Sequence, residues 1–148
     1  MPTNRFLGTG MKFPPQINKA TGRFMVSSEE ESVKESVYLI LMTQKTERFL
    51  RPDFGSSLMS YTFMDINITS VNMMIRSLTE QILTQEPRVQ NVNITTDSQV
   101  RDGCLLVTID YVIRNSNVRD NLVFPFYLNA AAEEDAYEPE QYESEELE

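Results

Sequence analysis

The chain has 148 residues, 41% of them apolar, and a formal net charge of −9, which suits one domain with a sizeable core. There is no histidine and one cysteine, Cys104, which excludes Ser-His-Asp and Cys-His catalysis, histidine-containing zinc sites and an internal disulfide, and fits a reducing compartment. No apolar run approaches the roughly 18–20 residues of a membrane span, so no membrane is expected.

Residues 1–26 read as an extended arm, because Gly8, Gly10, Pro14, Pro15 and Gly22 interrupt it too often for a helix. The arm also lacks the unbroken apolar core of a signal peptide. Residues 27–129 are expected to form a single α+β domain. Ser28 and Glu31 stand in capping-box spacing, and Glu29 and Glu30 suit the positive end of a helix dipole. Val33, Val37, Ile40 and Leu41 then recur on one face, which predicts a helix over roughly 29–44.

The stretch KTERFLRPDFGSS follows. Pro52 and Gly55 make it a loop of constrained shape. Phe49, Leu50 and Phe54 are too apolar for a free linker, so the loop either folds back on its own core through Phe49 and Phe54 or meets a partner. A short helix at about 56–62 is expected next. A second long helix starts after Asn67 or Thr69, with Val71, Met74, Ile75, Leu78 and Ile82 as its buried stripe and Arg76 and Glu80 at i,i+4 spacing on the other side.

At TEQILTQEPRVQNVNI the period switches from helical to two with no spacer. Pro87 forces Glu86 out of the helical region, so the helix ends near Gln85, and Glu86 and Arg88 project from a stiff corner. Such a pair either braces its own corner or offers charge-assisted bonds to a partner. A three-stranded antiparallel meander follows. Val92 and Ile94 alternate in the first strand; Leu105, Val107, Ile109, Tyr111 and Ile113 share one face of the second. Asp102-Gly103 and Asn115-Ser116-Asn117 mark the turns. The last strand, about 119–128, puts Leu122, Phe124, Phe126 and Leu128 on one face, and Pro125 demotes it to an edge or bulged strand.

Nine of the 22 acidic residues lie in residues 130–148, so residues 1–129 carry 13 acidic and 13 basic residues. A neutral body with an acidic terminus offers nucleic acid no cation cluster. Residues 130–148 are expected to be a flexible tail, either solubilising or docking a basic partner. No metal or cofactor pattern occurs. Glu47, Asp53, Asp65 and Glu86 leave a two-carboxylate glycan hydrolase as an alternative.

The segments GMKFPP…GR, LMTQKTERFLRPDFGSSL and EPRV resemble the GPW-type baseplate wedge family of contractile tails. Its members act as sheath initiators in tailed phages, tailocins and related contractile injection systems. The resemblance covers about residues 8–128. It implies a non-enzymatic structural protein without cofactors, assembled in the bacterial cytoplasm into a virion or phage-tail-like particle of symmetric, multi-copy build. It also implies partners: the core bundle of the wedge proteins, the first ring of sheath subunits, and hub or tube-proximal proteins. Carried over, Glu86, Pro87 and Arg88 would engage the wedge bundle. Glu47, Arg48, Arg51, Pro52, Phe54 and Gly55 match the family loop, while Thr46 stands where the family usually has glycine. The edge strand through Leu122, Val123, Phe124, Pro125, Phe126 and Tyr127 would accept sheath strands by β-augmentation. Glycan (peptidoglycan) hydrolase remains the alternative, since proteins of this family have carried that name.

Overall fold

Residues 5–63, 67–99 and 104–127 are described in the computed structural model; the expected turn at Asp102-Gly103, Leu128 and the acidic segment 130–148 lie outside them. The strand Cys104–Ile113 (β4) alternates buried and less buried side chains along its length, because one face lies on the core and the other on solvent. It is the centre of a three-stranded antiparallel sheet in the order β3-β4-β5, with β3 spanning Val89–Gln99 and β5 Arg119–Tyr127. Leu105, Val107, Ile109, Tyr111 and Ile113 are all buried, as their spacing predicted. The meander and the α+β class are therefore as the sequence indicated.

The strand β3 carries an irregularity that the pattern concealed. Gln90 faces Val112 and Asn93 faces Asp110, so Asn91 and Val92 together oppose Tyr111. Asn91 takes a φ of +52°, a left-handed conformation that asparagine tolerates well, and a β-bulge results. The turn after β4 also uses asparagines in this way, with φ of +70° at Asn115 and +53° at Asn117. On β5, Pro125 pairs with Leu106 and is exposed. A proline fits an edge strand where its missing N–H would point away from the neighbouring strand.

Two helices cover one face of the sheet. The first, α1 (Glu29–Met42), buries Val33, Val37, Ile40 and Leu41. Ser28 occupies its N-cap position but makes no side-chain cap bond, so the expected capping box does not form. Glu31 instead pairs with Lys12 of the arm, whose ammonium also lies 3.5 Å from Glu35, and the Glu29 N–H donates to the Gly8 carbonyl at 3.3 Å. The second helix, α2 (Ile68–Gln85), is capped as expected: the Asn67 side chain accepts from the Ser70 N–H at 2.7 Å. It buries Met74, Leu78, Gln81 and Ile82, while Val71 and Ile75 are only half-buried. The short helix expected at 56–62 is a single 3-10 turn, Leu58–Tyr61.

The arm doubles back on itself. Strands β1 (Thr9–Met11) and β2 (Val26–Ser28) pair antiparallel, and Ile17 and Phe24 form a further bridge toward the tip. A 3-10 turn, Arg5–Leu7, precedes it and sends Leu7 into the core. One polar link ties α1 to the sheet. Asp120 of β5 accepts from the Tyr111 hydroxyl at 3.0 Å and meets the Lys34 ammonium at 3.3 Å. Burial, with the Asp120 carboxylate alongside, pushes the Tyr111 phenol far above its ordinary pKa, so it stays a neutral donor.

Candidate functional site

At the seam, α2 ends at Gln85 and Glu86 is extended, with φ of −117° and ψ of +90°, as Pro87 requires. The Glu86 side chain turns inward and the residue is only 3% exposed. Arg88 grips it twice: Nε donates to Oε1 and Nη2 to Oε2, both at 2.7 Å. The Arg88 backbone N–H adds a third bond to Oε1 at 3.2 Å. The remaining nitrogen, Nη1, donates to the Leu7 carbonyl at 2.7 Å and reaches the Ser32 hydroxyl at 3.4 Å. One guanidinium thus joins the seam, the 3-10 turn and α1. Burial alone would push the Glu86 carboxyl up. The bonds from Arg88, the facing Ser36 hydroxyl and the Arg88 charge outweigh burial and hold it below the usual value, so the pair is ionised. The seam is a brace, and what it presents outward is the exposed Pro87 and part of the Arg88 side chain.

The loop after α1 is clamped by two glutamines that sequence pattern alone did not single out. Gln85 reads Gly55 as a strand partner would: its Oε1 accepts from the Gly55 N–H and its Nε2 donates to the Gly55 carbonyl, both at 2.8 Å. Gln81 accepts from the Ser57 N–H at 3.2 Å and bonds the Ser57 and Ser77 hydroxyls. Gly55 has a φ of +112°, and a Cβ there would fall 2.3 Å from the Thr43 carbonyl oxygen. Only glycine fits. Thr46 has a φ of +73°, a left-handed conformation that glycine adopts without strain and a β-branched residue does not. Glu47 accepts from the Gln44 N–H at 3.0 Å. Arg48 and Arg51 both face the Phe54 ring, at 4.5 and 5.8 Å from its centre, and the Pro52 carbonyl accepts from the Thr46 N–H.

Phe54 is half-buried under the two arginines, but Phe49 is 96% and Leu50 89% exposed at the loop tip. The expectation that Phe49 packs on its own core is therefore corrected. The glutamine clamp holds the loop against α2, and its tip stands clear of the core.

The sheet presents the third feature. β5 is an outer strand whose far side has no neighbour among the described residues. Leu122, Phe124 and Phe126 face the helices, while Val123, Pro125 and Tyr127 face outward. Beside this edge Phe13 and Pro14 of the arm, Lys34, Glu35 and Tyr38 of α1, and Leu122 line a cleft of about 370 Å³.

Among the described residues, Glu47, Asp53 and Glu86 do not converge on one another. Glu86 is bound to Arg88, Glu47 caps a backbone N–H, and Asp65 lies outside the described residues. Asp53 lines a cleft of about 500 Å³ between the loop and α2, where Glu80 is also present.

Residues 27–118 match the family described as baseplate wedge protein gp25. A search of curated proteins found no match. Among solved structures, a Geobacter sulfurreducens protein provisionally called a tail lysozyme is 37% identical, with a TM-score of 0.66 over 74% of this chain and 100% of that one. A chain of the anti-feeding prophage baseplate is 22% identical, with a TM-score of 0.57 over 88% of this chain and 94% of that one; that likeness is one of fold.

Proposed function

Since the chain belongs to the baseplate wedge protein gp25 family of contractile tail systems, we propose that it is a non-enzymatic baseplate component that binds the wedge core bundle and starts sheath assembly. The observation that carries the sheath step is the open edge of β5. Its outward backbone groups face no partner strand among the described residues, and a largely apolar cleft rimmed by Lys34 and Glu35 lies beside it to take alternate side chains of an added strand. Backbone bonds would then supply affinity and the cleft would supply register.

The opposite edge, on β3, is broken by the bulge at Asn91 and Val92, which suits pairing less well. For the wedge side, two rigid features support docking: the exposed Pro87 with the outer part of Arg88, and the Phe49-Leu50 tip next to Arg48 and Arg51. An apolar tip held by a clamp binds without first being ordered, which lowers the cost of association. Assembly in the bacterial cytoplasm, and contacts with hub or tube-proximal proteins, belong to the same proposal.

Reconstitution tests it: sheath subunits added to wedge proteins should polymerise only when this chain is present. Sheath growth at the same rate without the chain would refute the initiating role. The hydrolase reading rests on the lysozyme name of the Geobacter relative and on Asp53 and Glu80 sharing a cleft. Purified chain should leave peptidoglycan intact; hydrolysis that disappears in Asp53→Asn or Glu80→Gln would favour that reading instead.

A further inference from the structure

The arm carries an apolar face that its own domain leaves open. Met11 is registered opposite Val26, and Ile17 opposite Phe24. Phe24 and Val26 are two residues apart on the returning half of the hairpin, where Met25 between them bonds the Gln16 carbonyl and the Lys12 N–H, so both cross-strand pairs lie on the same side. These four side chains are between 60% and 67% exposed. The other side packs on α1 through small residues: Ser27 is buried, and a Cβ on Gly10 would sit 3.5 Å from the Ser32 hydroxyl. A ribbon that leaves Met11, Ile17, Phe24 and Val26 together on its outward side is built to be covered.

Charge selects the cover. Residues 1–28 hold Arg5, Lys12, Lys19 and Arg23 and no acidic residue. Lys12 is bound to Glu31 and Glu35, whereas Lys19 and Arg23 at the tip make no ion pair among the described residues. A second copy of the arm would bring like charges together, which opposes pairing. Residues 128–148 are the reverse: nine acidic residues, no basic ones, with Leu128, Tyr137, Tyr142 and Leu147 spaced among them.

The chain geometry allows the contact. Arm residues Phe13 and Pro14 already share a cleft with Leu122 of β5. Tyr127, where the described strand ends, is five residues further on, about 17 Å at strand rise. The segment that follows can span up to about 70 Å, and a short tether keeps its local concentration in the millimolar range.

We propose that the acidic segment 128–148 docks on the outward apolar face of the β1–β2 hairpin, with its carboxylates on Lys19 and Arg23, and shields that face in the free protein. The proposal rests on the arm and not on the sheath reading, so either can fail without the other.

The test uses the full-length chain with a nitroxide on Ser144→Cys in a Cys104→Ala background. Amide signals of Met11, Ile17, Phe24 and Val26 should lose height roughly twofold or more, as a tethered contact populated most of the time requires. Lys19→Glu with Arg23→Glu should restore them while the remaining spectrum stays dispersed. Mixing nitroxide-bearing unlabelled chain with isotope-labelled chain separates the sources: loss in the mixture means the segment of a neighbouring copy, loss only in the singly labelled sample means the same chain. Carbodiimide cross-linking of the unmodified protein, read by mass spectrometry, should join Lys19 to the acidic segment. Full-height arm signals in both samples, with no such cross-link, would overturn the proposal.

Discussion

Replacing Arg88 by methionine removes the guanidinium while keeping most of the stem. What remains is the Glu86 carboxylate, 3% exposed, without its two bonds of 2.7 Å. Breaking a buried ion pair by removing one partner costs about 3–5 kcal/mol. Because the Arg88 side chain keeps 22% of its exposure, solvent can relieve part of this, and about 2–4 kcal/mol is the expected loss. At roughly 3–5 °C per kcal/mol for a domain of this size, Tm should fall by on the order of 10 °C.

The loss should also depend on pH. In the wild type the Glu86 carboxyl lies below its ordinary value, so its stabilising contribution is full above the unfolded-state pKa and fades as pH falls through the folded one. Without Arg88, burial pushes the carboxyl above its unfolded value. The penalty is then full above that raised pKa and vanishes below the unfolded one. Urea unfolding of both proteins should therefore show the widest gap near about pH 7.5 and a narrow one near about pH 4. Glu86→Gln combined with Arg88→Met should recover part of the loss. A variant as stable as wild type at neutral pH, or a gap that does not change with pH, would refute the brace.

Gly55→Ala should destabilise by about 2–4 kcal/mol, since its Cβ meets the Thr43 carbonyl at 2.3 Å; denaturant curves check this, and an unchanged midpoint would contradict it. Thr46→Gly should raise stability by about 0.5–1 kcal/mol by relieving the positive φ, offset in part by glycine's chain entropy; a loss of stability would count against strain at this turn. Phe49→Ser with Leu50→Ser should change stability by less than about 0.5 kcal/mol yet lower incorporation into baseplates, measured by quantifying the chain in purified particles; normal incorporation would remove the tip from the binding surface.

Much of the architecture was legible because it depends on period. The alternation from Leu105 to Ile113 and the stripe from Met74 to Ile82 gave a strand and a helix of the right extent. Partner choice was less legible. Ser28 and Glu31 have capping spacing, but Lys12, far away in sequence, takes the Glu31 carboxylate. Gln81 and Gln85 read as polar helix positions, and nothing local reveals that they hold the backbone of a loop some 24 to 30 residues earlier. Apolar content marked Phe49 and Leu50 as needing cover but carries no direction. The stiff Glu-Pro-Arg corner was visible in Pro87; that its charges face each other was not, because side-chain direction is set by the helix packed above it. The asparagines 91 and 93 mimic a regular alternation and so conceal the bulge.

The sheath step is tested most directly at β5. Pro125 already lacks an N–H, and Val123 and Tyr127 share its side of the strand, so their N–H groups point outward like the one Pro125 lacks. Val123→Pro or Tyr127→Pro spares the bonds to β4 and removes one outward donor. An added strand would then leave a carbonyl unpaired in a buried junction, at about 1–3 kcal/mol for each donor lost. Electron microscopy of particles assembled with either variant should show baseplates that contain the chain and carry no sheath. Normally sheathed particles from both variants, with the substituted chain confirmed inside them, would contradict the claim that this edge starts the sheath.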